Sequence, residues 1–139
     1  MLIGEFITPI GEKNRIALPK KLRDELSDEL IVTRGYEHCL IVVDQARWLA
    51  LVAEIDKNPL FSLTVRDTKR FLLGGAYTLR LDKQGRFVVP EGLMQYAGIR
   101  ESVTWVGVGN WIEIWDTGKW TQKLDYLAEN STDIADRLS

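Results

Sequence analysis

Apolar and polar side chains alternate along this chain in short bursts bounded by turn-forming residues, and the bursts recur in one order in both halves. Tyr77, Leu79 and Leu81 alternate with Thr78 and Arg80, the period of a strand with one buried face. Phe6 to Ile10 is the upstream counterpart. Each strand runs into a tight turn, Gly11-Glu12-Lys13-Asn14 or Asp82-Lys83-Gln84-Gly85. Asn14 and Gly85 hold equivalent places and are the residue types that best tolerate positive φ, so a left-handed residue is expected there. A second strand follows, Arg15 to Leu18 or Arg86 to Val89. Pro19 and Pro90 end it, because proline lacks the ladder N–H yet suits the first turn of a helix. The pattern then predicts helices at 19–26 and 90–97, and strand pairs 30–34 with 39–43 and 103–106 with 111–115. Their connections are expected at Gly35-Tyr36-Glu37-His38 and Gly107-Val108-Gly109-Asn110. Asp44 and Asp116 are placed to cap helices over 45–55 and 117–128. Residues 65–73 predict a linker helix stopped by Gly74-Gly75, and the polar tail after Asn130 is expected to fray.

The recurrence is a duplication. Arg15-Ile16-Ala17-Leu18-Pro19 aligns with Arg86-Phe87-Val88-Val89-Pro90 at an offset of 71, with Phe6 against Tyr77, Ile10 against Leu81 and Leu22 against Leu93. Farther on the offset reads as 72, pairing Gly35 with Gly107, Leu40 with Ile112, Val42 with Ile114, Asp44 with Asp116 and Trp48 with Trp120. The fold class that follows is mainly β with short helices (α+β). The expected organisation is a first module over 5–47, a helical linker over 48–75, a second module over 76–119, and a C-terminal helix and tail over 120–139. A free-standing unit of this size would bury little surface, so the two copies are expected to intertwine or oligomerise.

Composition narrows the function. The 139 residues carry a formal net charge of −2, which counts against a uniformly basic nucleic-acid binder but says nothing of where the charges sit. Locally, residues 11–23 hold Lys13, Arg15, Lys20, Lys21 and Arg23 against Glu12, an excess of +4, and residues 80–86 hold Arg80, Lys83 and Arg86 against Asp82, an excess of +2. Acidic residues gather elsewhere, at Asp24, Glu25, Asp28 and Glu29 and in the tail. The single cysteine, Cys39, permits no intrachain disulfide. No run approaches the roughly 18 apolar residues of a membrane span, and the first residues do not read as a signal peptide. Cytoplasm is the expected compartment.

The sharpest chemistry is the repeated arginine. Arg15 and Arg86 each follow the turn at the start of a strand, and a guanidinium can clamp a phosphate or the O6/N7 edge of guanine. Taken singly these are ordinary solvated turn charges; taken twice, in equivalent positions with local basic excess, they point to DNA. Other candidates fade. The Asp82 turn lacks the companions of a metal loop, and His38 beside Cys39 lacks a third orienting group for nucleophilic catalysis. The five tryptophans sit in predicted strands and helices, where packing outweighs base stacking. Gly74-Gly75 lacks the spacing of a phosphate loop. No catalytic, metal or cofactor site and no small-molecule substrate is expected.

These residues together resemble the MraZ family of bacterial transcriptional regulators, built from two tandem SpoVT/AbrB-type modules. The resemblance covers nearly the whole chain: Met1-Leu2-Ile3-Gly4-Glu5-Phe6, Lys13-Asn14-Arg15-Ile16-Ala17-Leu18-Pro19, Thr33-Arg34-Gly35, Arg70-Phe71-Leu72, Gly74-Gly75-Ala76, Leu81-Asp82-Lys83-Gln84-Gly85-Arg86, Val106-Gly107-Val108-Gly109 and Ile112-Glu113-Ile114-Trp115. It implies two swapped-hairpin AbrB-like modules interlocked into one pseudo-symmetric β-barrel. It also implies chains assembled into rings, and a nucleoid-associated regulator that binds short direct repeats in the promoter of the division and cell-wall gene cluster, usually to repress it. The implied DNA-binding residues are Arg15, Arg86, Lys13, Lys83, Asn14 and Gly85, with Asp82 shaping the turn and orienting the arginine. The second copy matches the Asp-x-x-x-Arg element fully. In the first, Gly11 replaces the Asp and Asn14 the Gly, so Arg86 is expected to be the better fixed and the first turn to supply more charge. A second reading within the same fold class is an antitoxin that binds DNA and masks a toxin, although two modules and a short tail count against it. An enzyme is a third reading, for which the sequence offers no constellation.

Overall fold

The structure is a computed structural model that describes residues 1–27 and 29–139; Asp28, counted above among the acidic residues, lies outside them. The first half runs β1 (Leu2–Pro9), a 3-10 turn, β2 (Arg15–Ala17), α1 (Lys20–Arg23), β3 (Leu30–Arg34), β4 (Leu40–Asp44) and α2 (Gln45–Asp56). After the linker helix α3 (Leu63–Leu72), the second half repeats the order: β5 (Tyr77–Leu79), β6 (Arg86–Val88), α4 (Glu91–Ala97), β7 (Ser102–Gly109), β8 (Ile112–Asp116) and α5 (Thr117–Glu129), then α6 (Ser131–Asp136). The mixed α+β class and the β-β-α-β-β-α repeat are as expected.

Six strands form an antiparallel sheet in the order β1-β7-β8-β4-β3-β5, and β2 pairs with β6 in a separate ribbon. The halves exchange strands. The first strand of each copy lies against the third strand of the other, as Phe6 faces Trp105 and Tyr77 faces Val32. In the ribbon Ile16 faces Phe87, with Arg15 opposite Val88 and Ala17 opposite Arg86. In the sheet Ile41 faces Glu113, with Leu40 opposite Ile114 and Val42 opposite Ile112. Both sets are symmetric about their central pair, so one pseudo-twofold axis passes through ribbon and sheet.

Three expectations are corrected. The ladders do not close into a barrel: β1 and β5 are the two edges of the sheet, and no ladder joins them among the described residues. The Ile10 N–H bond to the Glu101 carbonyl extends the β1–β7 pairing, after which the chain enters the first turn, and β5 ends after three residues. Secondly, Gly35 does not correspond to Gly107. Leu30 faces Asp44 and Val103 faces Asp116. The two aspartates are 72 apart, which makes Leu30 and Val103, 73 apart, the equivalent pair. Arg34, opposite Leu40, therefore matches Gly107, opposite Ile112. The second hairpin is one residue shorter, and β7 runs on to Gly109, through part of the segment expected as a loop. Gly107 is glycine because the β1 backbone crosses it: a Cβ would stand 2.5 Å from Ile3 N. Thirdly, the tail beyond Asn130 is helical. The Asn130 N–H bonds Tyr126 O at the end of α5, and its carbonyl takes the Ile134 N–H to start α6.

The core lies between the inner sheet face and the ribbon. Val32, Leu40, Val42, Trp105, Ile112 and Ile114 meet Ile16 and Phe87, with Leu22 of α1 and Leu93, Met94 and Ala97 of α4 closing the ends. Phe87 stands edge-on to Trp105 at 6.1 Å between ring centres, and the Trp105 indole donates to Thr8 Oγ1 at 2.8 Å. A smaller cluster on the outer face joins Cys39, Val106 and Trp115 to Trp120 of α5. Among these tryptophans, Trp115 donates to Glu113 and Trp120 to Glu5, so packing is their role. Asp44 and Asp116 cap their helices by accepting from Arg47 N and Lys119 N. The linker helix is held at its C-terminal end by the first copy, where Arg34 Nε donates to Phe71 O and Nη2 to Arg70 O, and Thr33 Oγ1 donates to Leu72 O.

Phe87→Ala removes the ring on the pseudo-twofold axis, and with it contacts to both halves. It is expected to cost about 3–5 kcal/mol in a single cooperative denaturant transition. A two-step transition would show that the halves unfold separately.

Candidate nucleic-acid interface

The β2–β6 ribbon brings the two arginines together. Residues facing one another in an antiparallel ladder project to the same side, and alternate residues share that side. Ile16 and Phe87 point inward, 1% and 3% exposed. Arg15, Ala17, Arg86 and Val88 therefore share the outward face. Arg15 and Arg86 are diagonal neighbours there, with β-carbons roughly 7 Å apart in such a ladder. Both line one shallow groove of about 370 Å³, bounded by Thr8 and Pro9 of β1 and by Gly11, Glu12 and Ala17.

The turns are tied across the copies. Leu18 N–H bonds Gly85 O at 2.9 Å, and Val89 N–H bonds Asn14 O at 3.0 Å, so each turn is anchored by the strand of the other copy. Asn14 and Gly85 both take positive φ, 60° and 76°. Lys13 does so too, at 58°, which the sequence reading did not anticipate.

Its cause is the missing aspartate. In the second turn the Asp82 carboxylate accepts the N–H groups of Gln84 at 2.8 Å and Arg86 at 2.9 Å, and Arg86 Nε donates to its other oxygen at 2.9 Å. In the first turn Gly11 offers no carboxylate. The Arg15 N–H goes instead to the Glu12 carbonyl, closing a 3-10 turn in which Lys13 and Asn14 are both left-handed. Left-handed backbone is costly for a residue with a Cβ, and a second site steadies this one: Asn14 Nδ2 donates to Glu91 Oε2 at 2.9 Å. Beside the second turn, the Arg23 guanidinium of the first copy occupies the space a Cβ on Gly85 would need.

The electrostatics differ accordingly. The backbone N–H of Arg86 is the main cause holding the Asp82 carboxyl below the usual aspartate range; partial desolvation opposes it, and the Arg86 guanidinium and the Gln84 N–H reinforce it. The Arg86–Asp82 pair remains largely in solvent, with side chains 45% and 36% exposed. Arg15 makes no ion pair among the described residues. Lys13 and Lys83 are exposed at the turn tips. All seven candidate residues thus lie on the ribbon or its two turns. Ala17, Val88, Thr8, Pro9 and the turn neighbours Glu91 and Arg23 were not identifiable beforehand, since only the cross-copy register places them there.

Elsewhere, Cys39 is buried and burial pushes its thiol far above its ordinary range, so it is inert as a nucleophile. Among the described residues no three His, Cys, Asp or Glu side chains gather as metal ligands, and no helix is long and apolar enough to cross a membrane.

A carboxyl group with a lowered folded-state value stabilises the turn at neutral pH, and that contribution is lost as pH falls through the lowered value. A carbon-detected NMR titration is expected to place the Asp82 midpoint below that of ordinary aspartates. Arg86→Ala should raise it only part of the way, because the backbone N–H remains. An unshifted Asp82 would contradict the geometry of this turn.

A family model described as "MraZ protein, putative antitoxin-like" matches the chain twice, over residues 1–71 and 72–139. Proteins named "Transcriptional regulator MraZ" align over almost the whole length. The one from Finegoldia magna is 37% identical over 139 residues, covering 100% of this chain and 97% of its own. The one from Clostridium acetobutylicum is 39% identical over 142 residues, covering 100% and 97%. That from Caldicellulosiruptor bescii is 40% identical over 124 residues, covering 89% and 87%. Two tandem matches spanning the chain, on a structure that repeats itself about a pseudo-twofold axis, place the protein: it belongs to the MraZ family.

Proposed function

We propose that the protein is a sequence-specific double-stranded DNA-binding transcriptional regulator, and that the outward face of the β2–β6 ribbon, with its two turns, is the contact surface. The observation that carries this reading is the pairing of Ala17 with Arg86 and of Arg15 with Val88. It makes two arginines diagonal neighbours on the outward, locally basic face of a protein whose net charge is −2. A two-stranded ribbon is narrow enough to enter a major groove. Lys13 and Lys83 would flank it toward phosphates, Asn14 and Gly85 shape the turns, and Asp82 orients Arg86. The regulators named among the relatives support the reading.

The finer reading is a nucleoid-associated cytoplasmic repressor of the division and cell-wall gene cluster, acting on short direct repeats in the promoter. Each chain would offer two swapped-hairpin modules, 5–47 and 76–119, flanked by the linker over 48–75 and the segment 120–139. Chains would join in a homo-oligomeric ring, so that successive modules meet successive repeats and weak contacts gain effective concentration. The exposed apolar side chains of Leu49, Leu60, Phe61 and Leu63 about α2 and α3 support self-association. The wording of the matched family description favours a second reading, an antitoxin that also binds a toxin. Co-purification of a small toxic partner with the native protein would establish it.

Arg15→Ala combined with Arg86→Ala is expected to abolish a gel shift on the promoter upstream of the protein's own gene, with melting temperature and assembly preserved. Unchanged affinity in the double variant would reject the ribbon as the contact surface.

A further inference from the structure

We propose that Arg15 and Arg86 divide DNA recognition between them, Arg86 reading a base edge through its fixed fork and Arg15 neutralising a phosphate. This rests on the DNA-binding reading above and assigns different ligand chemistry to two residues that the duplication makes formally equivalent.

The assignment follows from what holds each guanidinium. Arg86 is gripped twice by one carboxylate: its backbone N–H bonds Asp82 Oδ1 and its Nε bonds Asp82 Oδ2, both at 2.9 Å. The fork is thereby aimed, while its two terminal nitrogens donate to no described residue. A bidentate contact to guanine O6 and N7 needs an arginine with this direction and these free donors. The same carboxylate makes Arg86 a poor phosphate ligand. A phosphate would have to compete with Asp82 for the guanidinium and approach within a few ångströms of a second negative charge.

Arg15 has the opposite character. Gly11 stands where a carboxylate would sit, and among the described residues no carboxylate pairs with the Arg15 guanidinium. It emerges from the most basic segment of the sequence, two positions after Lys13 and shortly before Lys20 and Lys21. An unpaired cation suits the phosphate backbone, where the geometric demand is loose and counterion release supplies the affinity. Glu12, which lines the same groove, guards against indiscriminate binding by that turn.

The test uses two duplexes, one enriched by the native protein itself from a random pool and a scrambled duplex of equal composition. Affinities are measured by fluorescence anisotropy over a salt series. Arg15→Ala should weaken both duplexes by a similar factor and reduce the slope of log K against log salt by roughly one per contacted module. Arg86→Ala should weaken the enriched duplex about tenfold more than the scrambled one. Arg86→Lys, which keeps the charge but not the fork, should lose the preference in the same way, and Asp82→Asn should reduce it by releasing the fork. Each variant is first checked for native melting temperature and assembly. The division is overturned if Arg15→Ala erases the preference, or if Arg86→Ala and Arg86→Lys weaken both duplexes equally. A native protein that enriches no sequence at all would instead overturn the DNA-binding reading, and this inference with it.

Discussion

The exchange of strands between the two copies is the constraint on which everything else rests. A unit of this size cannot bury enough apolar surface by itself, and here neither copy has a core of its own. Ile16 of one ribbon strand closes against Phe87 of the other, Trp105 of β7 is covered by β1, and Val32 of β3 is covered by β5. Each half keeps its own hairpin, β3–β4 or β7–β8, but the strands that complete its apolar face come from the other half. The pseudo-twofold axis follows from this mutual dependence, and so does the position of the arginines. They face outward together because the residues between them, Ile16 and Phe87, must face inward.

Within that symmetry the two turns solve one problem differently. Both must reverse the chain and deliver an N–H at the first residue of the ribbon strand to an acceptor. The second turn uses a side chain, and Asp82 then also holds the guanidinium. The first uses a backbone carbonyl, which requires Lys13 and Asn14 in left-handed conformations and leaves Arg15 unheld. A single missing carboxylate thus changes the backbone of one turn and the electrostatics of one arginine, while the ladder pairing of the ribbon stays intact.

The outer layer breaks the symmetry in another way. α5 buries Trp120 against Trp115 and Val106, whereas its counterpart α2 buries no residue and carries a half-buried Trp48. The linker helix α3 packs beside α2 and is fastened to β3 through Arg34 and Thr33. Leu49 of α2 and Leu63 of α3 are exposed, as are Leu124 and Tyr126 of α5 to a smaller degree, so the outer layer makes the two copies unequal at the surface.

Local patterns determined the elements and the duplication. Period-two alternation marked the strands, the Asp44 and Asp116 caps marked the long helices, and Asn14 and Gly85 marked left-handed turns, because each signal depends on residues within a few positions of one another. The candidate residues were legible for the same reason, as a turn and an arginine occurring twice. What the tertiary structure alone decided was everything set by pairing across the repeat. It decided that the sheet stays open at β1 and β5, that Arg34 rather than Gly35 matches Gly107, and that Arg15 and Arg86 share one face. It also decided that Glu91 and Arg23 lie against turns far away in sequence. Those outcomes depend on the register between strands some 70 residues apart, and register is chosen by the core that the paired strands enclose together, not by any segment alone.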